Sequence, residues 1–337
     1  VELGLGIDVA SGGELAVALA QGADAGGCSF AGPGKSDAEI AQAIDAGVGS
    51  INVESPRELE KVAEAAAAAG RTANVSLRVN PAQQVRKSGM RMGGGAQAFG
   101  IDAEQVPAVL ARVADLKSVR FVGFHVFAGS QNLDAEKLVT SYRGSLEALV
   151  ELMPHAPHAP SRINLGGGFG IPYHAKDTPI DIAAVGAGLQ ALWAEFQPHF
   201  GGAQLHLESG RFLAGECGVY VCRVRDRKVS RGTTFLVTDG GLHHHLAATG
   251  NFGQVIHRPY PVAAVERLDA APAEEVAVVG PLCTPLDTFG GKVSLPQLTE
   301  GDLVGVFCSG AYGFTASPRG FLSHPEPAEV VVGEITP

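Results

Sequence analysis

The sequence predicts an α/β protein with a (β/α)8 barrel of the TIM type that lacks its first strand, followed by a C-terminal antiparallel β domain built as a Greek-key barrel or sandwich. Short apolar segments alternate with amphipathic helical ones in the first part of the chain, as in parallel strands joined by crossover helices. After Gly218, apolar segments follow one another without helices between them. We therefore place the barrel domain at residues 1–217 and the β domain at residues 218–337.

Seven barrel strands are visible, each a short apolar run that ends in polar or glycine residues. They are Ile7–Ala10, Cys28–Ala31, Ser50–Val53, Val75–Val79, Phe121–Val126, Ile163–Leu165 and Gln204–Leu207. A closed barrel of this type needs eight strands. Because Val1 begins as if partway through a βα unit, we expect the absent strand to precede it. An open seven-stranded α/β sheet is the alternative.

Helix starts between the strands are marked by the capping-box spacing, in which two side chains three residues apart satisfy each other's backbone amides. The spacing occurs at Ser36–Glu39, Ser55–Glu58 and Asp102–Gln105. Apolar residues then recur at helical intervals, as at Leu59 and Val62. These apolar faces predict helices that pack on the outside of the barrel.

Five segments rich in β-branched residues and bounded by Gly, Pro or Asp predict the strands of the second domain. They are Val219–Val224, Thr234–Thr238, Glu275–Val279, Leu303–Phe307 and Glu329–Val332.

Composition excludes several classes of function. The chain has 337 residues and is 45% hydrophobic, which allows a large core of one or two domains. Its formal net charge of -10, without any run of Lys and Arg, argues against a nucleic-acid partner. No apolar run reaches the roughly 18 residues of a membrane span. The five scattered cysteines lack metal-ligand spacing and fit a reducing cytoplasm better than a disulfide framework.

The stretch Asn164–Gly170 predicts a buried strand that runs directly into a triglycine loop. Glycines allow successive backbone N–H groups to turn toward one point without obstruction by Cβ atoms, and a phosphate is the natural occupant of such a cradle. A tight turn between a strand and a helix is the alternative. The residues at the ends of the neighbouring strands are needed to distinguish a phosphate cradle from a tight turn.

Polar side chains follow several of the predicted strands. In a barrel the carboxyl ends of the strands converge on one mouth, so these residues are the functional candidates. The candidates are Asp8, Ser11 and Glu14 after the first visible strand, His125, Ser130 and Gln131 at the fifth, and Glu208, Gly210 and Arg211 after the seventh. Cys283 and Tyr312 follow later in the chain.

Six ordered motifs make the chain resemble the fold-type III pyridoxal-phosphate decarboxylases, the diaminopimelate and ornithine decarboxylase family. The motifs are Asp8–Glu14, Gly123–Ser130, Gly166–Gly170, Glu208–Arg211, Gly280–Cys283 and Gly310–Tyr312. The stretches Phe127–Gln131 and Gly170–Tyr173 are most similar to the branch found beside exosortase A systems, and they also resemble a decarboxylase of carrier-bound glutamyl groups. In this family the first strand carries the lysine that anchors the cofactor, and that stretch is absent here.

The resemblance implies an amino-acid decarboxylase with pyridoxal 5'-phosphate as cofactor, working as a cytoplasmic homodimer with shared active sites. Glu208 would face the pyridine nitrogen, and His125 would stack on the ring. Cys283, from the β domain, would return a proton to Cα in the neighbouring barrel. The remaining cofactor contacts would be Asp8, Ser130, Gly166, Gly167, Gly168, Gly210, Arg211 and Tyr312, the last seven of them around the phosphate.

Substrate identity is less clear from the sequence. Family members that bind a distal ammonium usually have an acidic residue directly after the cysteine, whereas Thr284 stands there in this chain. Asp287 is the candidate to replace it. This departure leaves room for a neutral, acidic or carrier-attached distal group. Further candidate substrate contacts are Arg211, Gln254, His257, Arg258 and Tyr260.

Two other functions are compatible with the sequence. A non-catalytic homologue acting as a regulator is one, and a fold-type III racemase is another, although Glu208 argues against it because that class has an Arg at the pyridine nitrogen. Consecutive His243, His244 and His245 alternate faces on a strand, so we expect no metal site there. Lys35 lacks the glycine spacing of a P-loop and is assigned a structural role.

Overall fold

The computed structural model describes residues 3–81, 95–127, 129–174, 176–250 and 258–333. These residues form two compact units. The first consists of Val1–Gly170 and Ile180–Ser209, and the second of Ile171–Pro179 and Gly210–Pro337. This division differs from the predicted boundary at residues 217 and 218, because two short segments on the barrel side of that boundary pack with the second unit.

The first unit is built on a sheet of eight strands, in which seven follow one another in a single parallel series. The strands are β1 Ile7–Val9, β2 Cys28–Phe30, β3 Ser50–Val53, β4 Ala73–Asn80, β5 Ile101–Asp102, β6 Val119–His125, β7 Arg162–Asn164 and β8 Gln204–His206. The order is β1-β2-β3-β4-β6-β7-β8, and β5 pairs with β4 alone. All seven predicted strands are confirmed, whereas the two-residue β5 was not predicted.

The strand order is that of a (β/α)8 barrel rather than of a doubly wound sheet. Apart from β5, each strand pairs with the strand that follows it along the chain. Within the described residues β1 and β8 form the two edges of the series. One further strand between them would close the barrel, so the predicted barrel lacking one strand is confirmed.

In the described part of this unit, six helices alternate with the strands along the chain. They are α1 Gly12–Ala20, α2 Asp37–Ala46, α3 Pro56–Ala68, α4 Val106–Asp115, α5 Ala135–Leu152 and α6 Ile182–Phe196. Each buries one face, with Leu15, Ile40, Leu59 and Leu110 fully enclosed. Burying a Leu or Ile side chain is worth about 1.5–3 kcal/mol, so these faces hold the helices against the strands.

The predicted helix starts are correct at two of the three positions. Ser36 forms a complete capping box with Glu39. Ser55 accepts the backbone N–H of Glu58, but the Glu58 carboxylate turns inward instead of closing the box. The predicted start at Asp102 is wrong, because Asp102 lies in β5 and α4 begins after Gln105 without a side-chain cap.

The second unit contains a six-stranded sheet. Its strands are β9 Tyr220–Ser230, β10 Thr233–Thr238, β11 Val262–Ala264, β12 Glu274–Val279, β13 Thr288–Leu295 and β14 Leu303–Val306, in the order β11-β14-β9-β10-β12-β13. A short helix, α7 Arg211–Ala214, precedes it. Four of the five strand pairs are antiparallel, as predicted, but β10 and β12 are parallel.

Two strands of this unit were missed and one predicted strand is wrong. The missed strands are β11 and β13. The segment Glu329–Val332 has no strand conformation, and Val330, Val331 and Val332 are exposed. Its β-branched residues favour an extended backbone, but a strand forms only where a neighbouring strand accepts and donates its hydrogen bonds.

The core of the second unit explains why residues 171–179 belong to it. Ile171 and Tyr173 are buried in the same apolar cluster as Leu236, Val278 and Phe289 of the sheet.

Across the described residues, no helix has the length and apolar character needed to cross a membrane.

Candidate active site

Three of the predicted site residues, Asp8, His125 and Glu208, come together in the first unit. His125 ends β6, and the register of the sheet aligns it with Asn164 at the end of β7. Nε2 of His125 lies 3.0 Å from Oε1 of Glu208, and the Asn164 side-chain amide donates to the same oxygen at 2.9 Å. Asp8 lies in the middle of the edge strand β1 and interacts electrostatically with both His125 and Glu208.

Glu208 is held in its ionised form. Burial opposes its charge, but His125, Asn164 and the Arg78 guanidinium together outweigh burial, so the pKa of Glu208 lies below its usual range. A carboxylate kept charged in this way can stabilise a positive charge or hold a proton on a neighbouring nitrogen.

Asp8 has the opposite electrostatic character. The surrounding protein atoms and the Glu208 charge raise the pKa of Asp8 to about 7, even though one side of the residue stays open to solvent. Two carboxyl groups in one small region therefore differ in protonation near neutral pH. Such a separation of pKa values is typical of sites that hold or move protons.

His125 is 1% exposed, yet neither ring nitrogen makes a directed hydrogen bond among the described residues. The 3.0 Å contact with Glu208 brings Nε2 close to the carboxylate, but the imidazole is not oriented along it. Buried polar groups in proteins are nearly always hydrogen-bonded, and while Nε2 contacts the Glu208 carboxylate, Nδ1 of His125 has no partner among the described residues. This is compatible with the predicted stacking on a planar ring.

The triglycine loop adopts a backbone that a side chain would not permit. Gly166 has φ +69, and a Cβ atom there would lie 2.7 Å from the Val126 carbonyl oxygen. The loop is fixed by three hydrogen bonds: Gly166 N donates to Asn164 Oδ1, Glu208 N donates to Gly166 O, and Tyr142 donates its hydroxyl to Gly167 O.

The amides of Gly167 and Gly168 have no acceptor among the described residues, and both glycines are half-buried. Two such N–H groups on adjacent residues suit an anion, so the loop fits a phosphate better than a simple turn. The segment around the predicted contact Ser130 lies beside it, because Asn132 N donates to Gly168 O at 2.9 Å and Gly170 N donates to Asn132 O at 2.9 Å.

In the second unit, the predicted phosphate ligands Arg211 and Tyr312 lie together. The Arg211 guanidinium carbon is 4.5 Å from the centre of the Tyr312 ring, and Nη1 donates to the Tyr173 hydroxyl at 2.6 Å. Nε of Arg211 is buried without a hydrogen-bond partner among the described residues. Together with the backbone of the preceding Gly210, this arrangement presents a fixed cation to an anionic ligand.

The predicted substrate contacts have different surroundings. Arg258 is exposed. Tyr260 is 5% exposed, and its ring packs 4.4 Å from that of Tyr173, so it belongs to the core of the second unit. Burial raises the pKa of its phenol. Gln254 and His257 lie outside the described residues.

Cys283 and Asp287 lie on one loop but face different environments. Cys283 is exposed with a free thiol, as the predicted proton donor requires. Asp287 is 2% exposed, and its two carboxylate oxygens accept the backbone amides of Leu242 and Leu282 at 2.6 and 2.8 Å. The pKa of Asp287 is raised overall, because the effect of burial outweighs the lowering effect of these two amides. Its predicted contact with substrate is therefore corrected, because the carboxylate is bound within the protein.

The three consecutive histidines are buried. Nδ1 of His244 lies 2.9 Å from the Tyr220 hydroxyl oxygen, and Nε2 of His245 lies 2.9 Å from Ser309 Oγ. His243 has no hydrogen-bond partner for either ring nitrogen among the described residues, and its ring lies 4.8 Å from that of His324. Within those same residues, no group of three or more metal-binding side chains occurs.

Sequence reasoning missed two buried ion pairs beside the site. Nη1 of Arg78 lies 2.8 Å from Glu54 Oε1, and Nζ of Lys35 lies 2.7 Å from Glu58 Oε1. The Lys35 contact agrees with the structural role assigned to it. Arg78 could have been noticed, because it is a charged residue in the middle of an apolar strand.

Comparison with known proteins places this geometry in a family. A family model described as "Pyridoxal-dependent decarboxylase, pyridoxal binding domain" matches residues 1–215. The chain is 37% identical over 332 residues to the L-glutamyl-[BtrI acyl-carrier protein] decarboxylase of Niallia circulans, covering 97% of this chain and 77% of the relative. It is 32% identical over 320 residues to a diaminopimelate decarboxylase of Bacteroides thetaiotaomicron, covering 93% and 78%.

The solved structures agree. A diaminopimelate decarboxylase from Helicobacter pylori complexed with L-lysine has a TM-score of 0.84 and 25% identity to this chain, covering 96% of this chain and 78% of that one. The family match extends over the barrel residues that carry His125, Glu208 and the triglycine loop. The chain therefore belongs to the pyridoxal-dependent decarboxylases and is an amino-acid decarboxylase whose cofactor is pyridoxal phosphate.

Proposed function

We propose that the substrate is an amino-acid unit whose distal end is neutral, acidic or joined to a carrier protein, with a carrier-bound glutamyl group as the leading candidate. The observation that carries this proposal is that the Asp287 carboxylate is already hydrogen-bonded within the protein. It is the single carboxylate of the cysteine loop, which we define as Gly280–Asp287, and both its oxygens accept backbone amides. This loop therefore has no free carboxylate to pair with a distal ammonium.

Two further observations support the same substrate class. Thr284 follows Cys283 directly, where an acidic residue would favour a diamino acid. The relative from Niallia circulans is named for a glutamyl group on an acyl-carrier protein. The diaminopimelate decarboxylases are also relatives, so a free diamino acid is the alternative that the experiment has to exclude.

Pyridoxal phosphate supplies an electron sink for the electron pair that stays on Cα when carbon dioxide leaves. In our proposal Glu208 holds a proton on the pyridine nitrogen, because its carboxylate is kept ionised by His125, Asn164 and Arg78. His125 would lie against the face of the ring and exclude water from it.

The phosphate group would be held by hydrogen bonds and charge. The half-buried amides of Gly167 and Gly168 would donate to it, and Ser130 is assigned to the same group. The Arg211 guanidinium, the backbone of Gly210 and the hydroxyl of Tyr312 are the further phosphate contacts that the family resemblance implies. Arg211 is suited to this role because its Nε is buried without a partner among the described residues.

Cys283 is the proposed proton donor. The bond between Cα and the carboxylate breaks, carbon dioxide leaves, and the Cys283 thiol transfers its proton to Cα before it regains one from water. The thiol is exposed on this chain, which is compatible with action in the site of a second copy. We accordingly infer a homodimer with shared active sites. The five free thiols also fit the cytoplasm as the site of action.

The test is carbon dioxide release by the protein loaded with pyridoxal phosphate, measured in parallel with a glutamyl thioester of a carrier protein, free glutamate and free diaminopimelate. We expect release from the thioester at a kcat/KM at least 100-fold above that for either free amino acid. A preference for diaminopimelate would refute the proposed substrate. Cofactor binding without release from any substrate would favour the non-catalytic alternative. Exchange of the Cα proton without carbon dioxide release would favour the racemase.

A further inference from the structure

The loops that follow β10 and β12 leave the sheet side by side. These strands are parallel, and their ends are in register, with Val237 opposite Val279. The Thr238 hydroxyl lies 2.8 Å from the Gly240 carbonyl oxygen and 3.0 Å from that of Val279, so it joins the two strand ends. Two chain segments that are distant in sequence, residues 240–242 and the cysteine loop, therefore begin next to each other.

The carboxylate of Asp287 lies at the point where these two segments meet. Oδ1 accepts the backbone N–H of Leu242 at 2.6 Å, and Oδ2 accepts that of Leu282 at 2.8 Å. Charged hydrogen bonds of this kind are about twice as strong as neutral ones. Leu282 directly precedes Cys283 in the chain, so the carboxylate fixes the backbone one residue away from the thiol.

The backbone of Asp287 closes the same loop. Gly280 N donates to the Asp287 carbonyl oxygen at 2.9 Å, and Asp287 N donates to the Thr284 carbonyl oxygen at 3.2 Å. Thr284 N in turn donates to Leu282 O at 2.8 Å. The cysteine loop is thus closed on itself around a buried carboxylate, while the Cys283 side chain stays exposed.

The two glycines beside the carboxylate are required by its position. A Cβ atom on Gly241 would lie 2.2 Å from Oδ1 of Asp287, and one on Gly280 would lie 2.2 Å from Oδ2. Real Cβ atoms essentially never approach other atoms this closely, so any larger residue at either position would push the carboxylate out of place.

We propose that Asp287 is the positioning residue for Cys283: its buried carboxylate joins the cysteine loop to residues 240–242 and so sets where the thiol is held. This inference rests on the proposed role of Cys283 as proton donor. It replaces the predicted contact between Asp287 and the substrate, and it explains why an acidic residue four positions after the cysteine does not create a site for an ammonium group.

The test compares wild type with Asp287→Asn, which keeps the size of the side chain but presents an amide donor to one of the two backbone N–H groups. Gly241→Ala is the second variant, because it displaces the carboxylate without removing it. Gly291→Ala is the matched control in the same unit, since a Cβ atom there has no neighbour within 4 Å. We expect kcat to fall at least tenfold in both variants, KM to stay within twofold, and the control to match wild type.

A second readout does not depend on turnover. Hydrogen exchange of the Leu242 and Leu282 amides should accelerate at least tenfold in Asp287→Asn. Alkylation of Cys283 by iodoacetamide, resolved by peptide mass spectrometry, should accelerate at least threefold relative to Cys217, the other exposed thiol of this unit. Gly291→Ala should change neither rate.

The outcomes separate the inference from the proposed function. Unchanged exchange and alkylation, or a kcat of Asp287→Asn within twofold of wild type, would overturn the positioning role. A KM that rises by the same factor as kcat is expected to fall would assign Asp287 to substrate binding. This outcome would also overturn the positioning role. Faster exchange and alkylation in a protein that releases no carbon dioxide would support the hold of Asp287 on the loop while refuting the proposed reaction.

Discussion

Nη1 of Arg78 lies 2.8 Å from Oε1 of Glu54, and both side chains are almost completely buried. Glu54 also accepts the backbone amides of Gly32 and Gly100, so the pair ties together three loops at the ends of neighbouring strands. The guanidinium contributes to the lowered pKa of Glu208, and at Asp8 it partly opposes the rise in pKa that burial and the Glu208 charge cause. This ion pair therefore connects the stability of the barrel with the electrostatics of the candidate active site.

Arg78→Met is expected to destabilise the protein by about 3–5 kcal/mol, because it leaves the Glu54 carboxylate buried without its cation. Urea unfolding at constant pH measures the loss. The double variant Arg78→Met with Glu54→Gln removes the orphaned charge and should recover part of the loss. A loss below about 1 kcal/mol for Arg78→Met, which is typical of an exposed pair, would contradict the structural importance of this contact.

Glu208→Gln is expected to lower kcat on the order of 100-fold, since removal of one preorganised charged group at a reacting centre typically has an effect of this size. The free energy of unfolding should change much less, because glutamine keeps the contact with Asn164. Steady-state kinetics together with thermal unfolding check both expectations. Glu151→Gln, at an exposed position of α5, is the matched control and should behave as wild type. Full activity of Glu208→Gln would remove this residue from the reaction.

Gly166→Ala is expected to weaken binding of pyridoxal phosphate at least tenfold, because the added Cβ atom would meet the Val126 carbonyl oxygen at 2.7 Å and the backbone has φ +69. Titration of the protein with the cofactor, followed by absorbance, measures the change. Gly144→Ala tests the same substitution in α5, where nothing lies within 4 Å of the new atom. It should leave cofactor binding intact and stabilise the helix by about 0.5–1 kcal/mol. Equal cofactor affinity in both variants would contradict the phosphate cradle.

The buried histidines predict a loss of stability in acid. Burial lowers the pKa of both His243 and His245 to about 4, and for His243 the neighbouring His244 and His324 add to this effect. The unfolded chain, with a histidine pKa of about 6.5, binds more protons than the folded one between these values. The free energy of unfolding should therefore fall as the pH drops from about 6.5 to about 4, by on the order of 1 kcal/mol per pH unit for each histidine.

Urea unfolding at pH 7, 6 and 5 checks this expectation. Asp8 acts in the opposite direction, because its raised pKa stabilises the folded state at low pH and this contribution is lost as the pH rises through about 7. His243→Phe should reduce the pH dependence, and Asp8→Asn should increase it. A wild-type stability that does not fall between pH 6.5 and pH 5 would show that the two histidines do not carry the acid sensitivity.

Much of the barrel could be predicted because its signals are local. Each parallel strand is a short apolar run that ends in polar or glycine residues, and the capping box at Ser36 is visible in four consecutive letters. The missed β13 contains Gly290, Gly291 and Lys292, which interrupt the apolar alternation. The incorrectly predicted strand at residues 329–332 has the right composition but pairs with no strand among the residues that the structure describes, and sequence composition does not encode pairing.

In the candidate site, too, local sequence signals could be predicted and contacts between distant residues could not. His125, Glu208 and Arg211 were identified because motifs carry them. Their supporting contacts join residues far apart in the chain, as Asn164 does with Glu208. Asp287 is the clearest failure of sequence reasoning, because a carboxylate near a cysteine suggests a ligand contact, and only the fold shows that backbone amides already surround it.

The parallel pairing of β10 with β12 has a consequence for how specificity can evolve. A parallel pair cannot be joined by a tight turn, so the connection between Thr238 and Glu274 has to run from one end of the pair back to the other, and it carries the buried His243 as well as β11. The entropic cost of closing such a connection grows only slowly with its length. Exposed parts of this connection can therefore differ in length between homologues while the two anchoring strands keep their register. We accordingly expect changes in substrate preference to arise more readily in this connection than in the two strands.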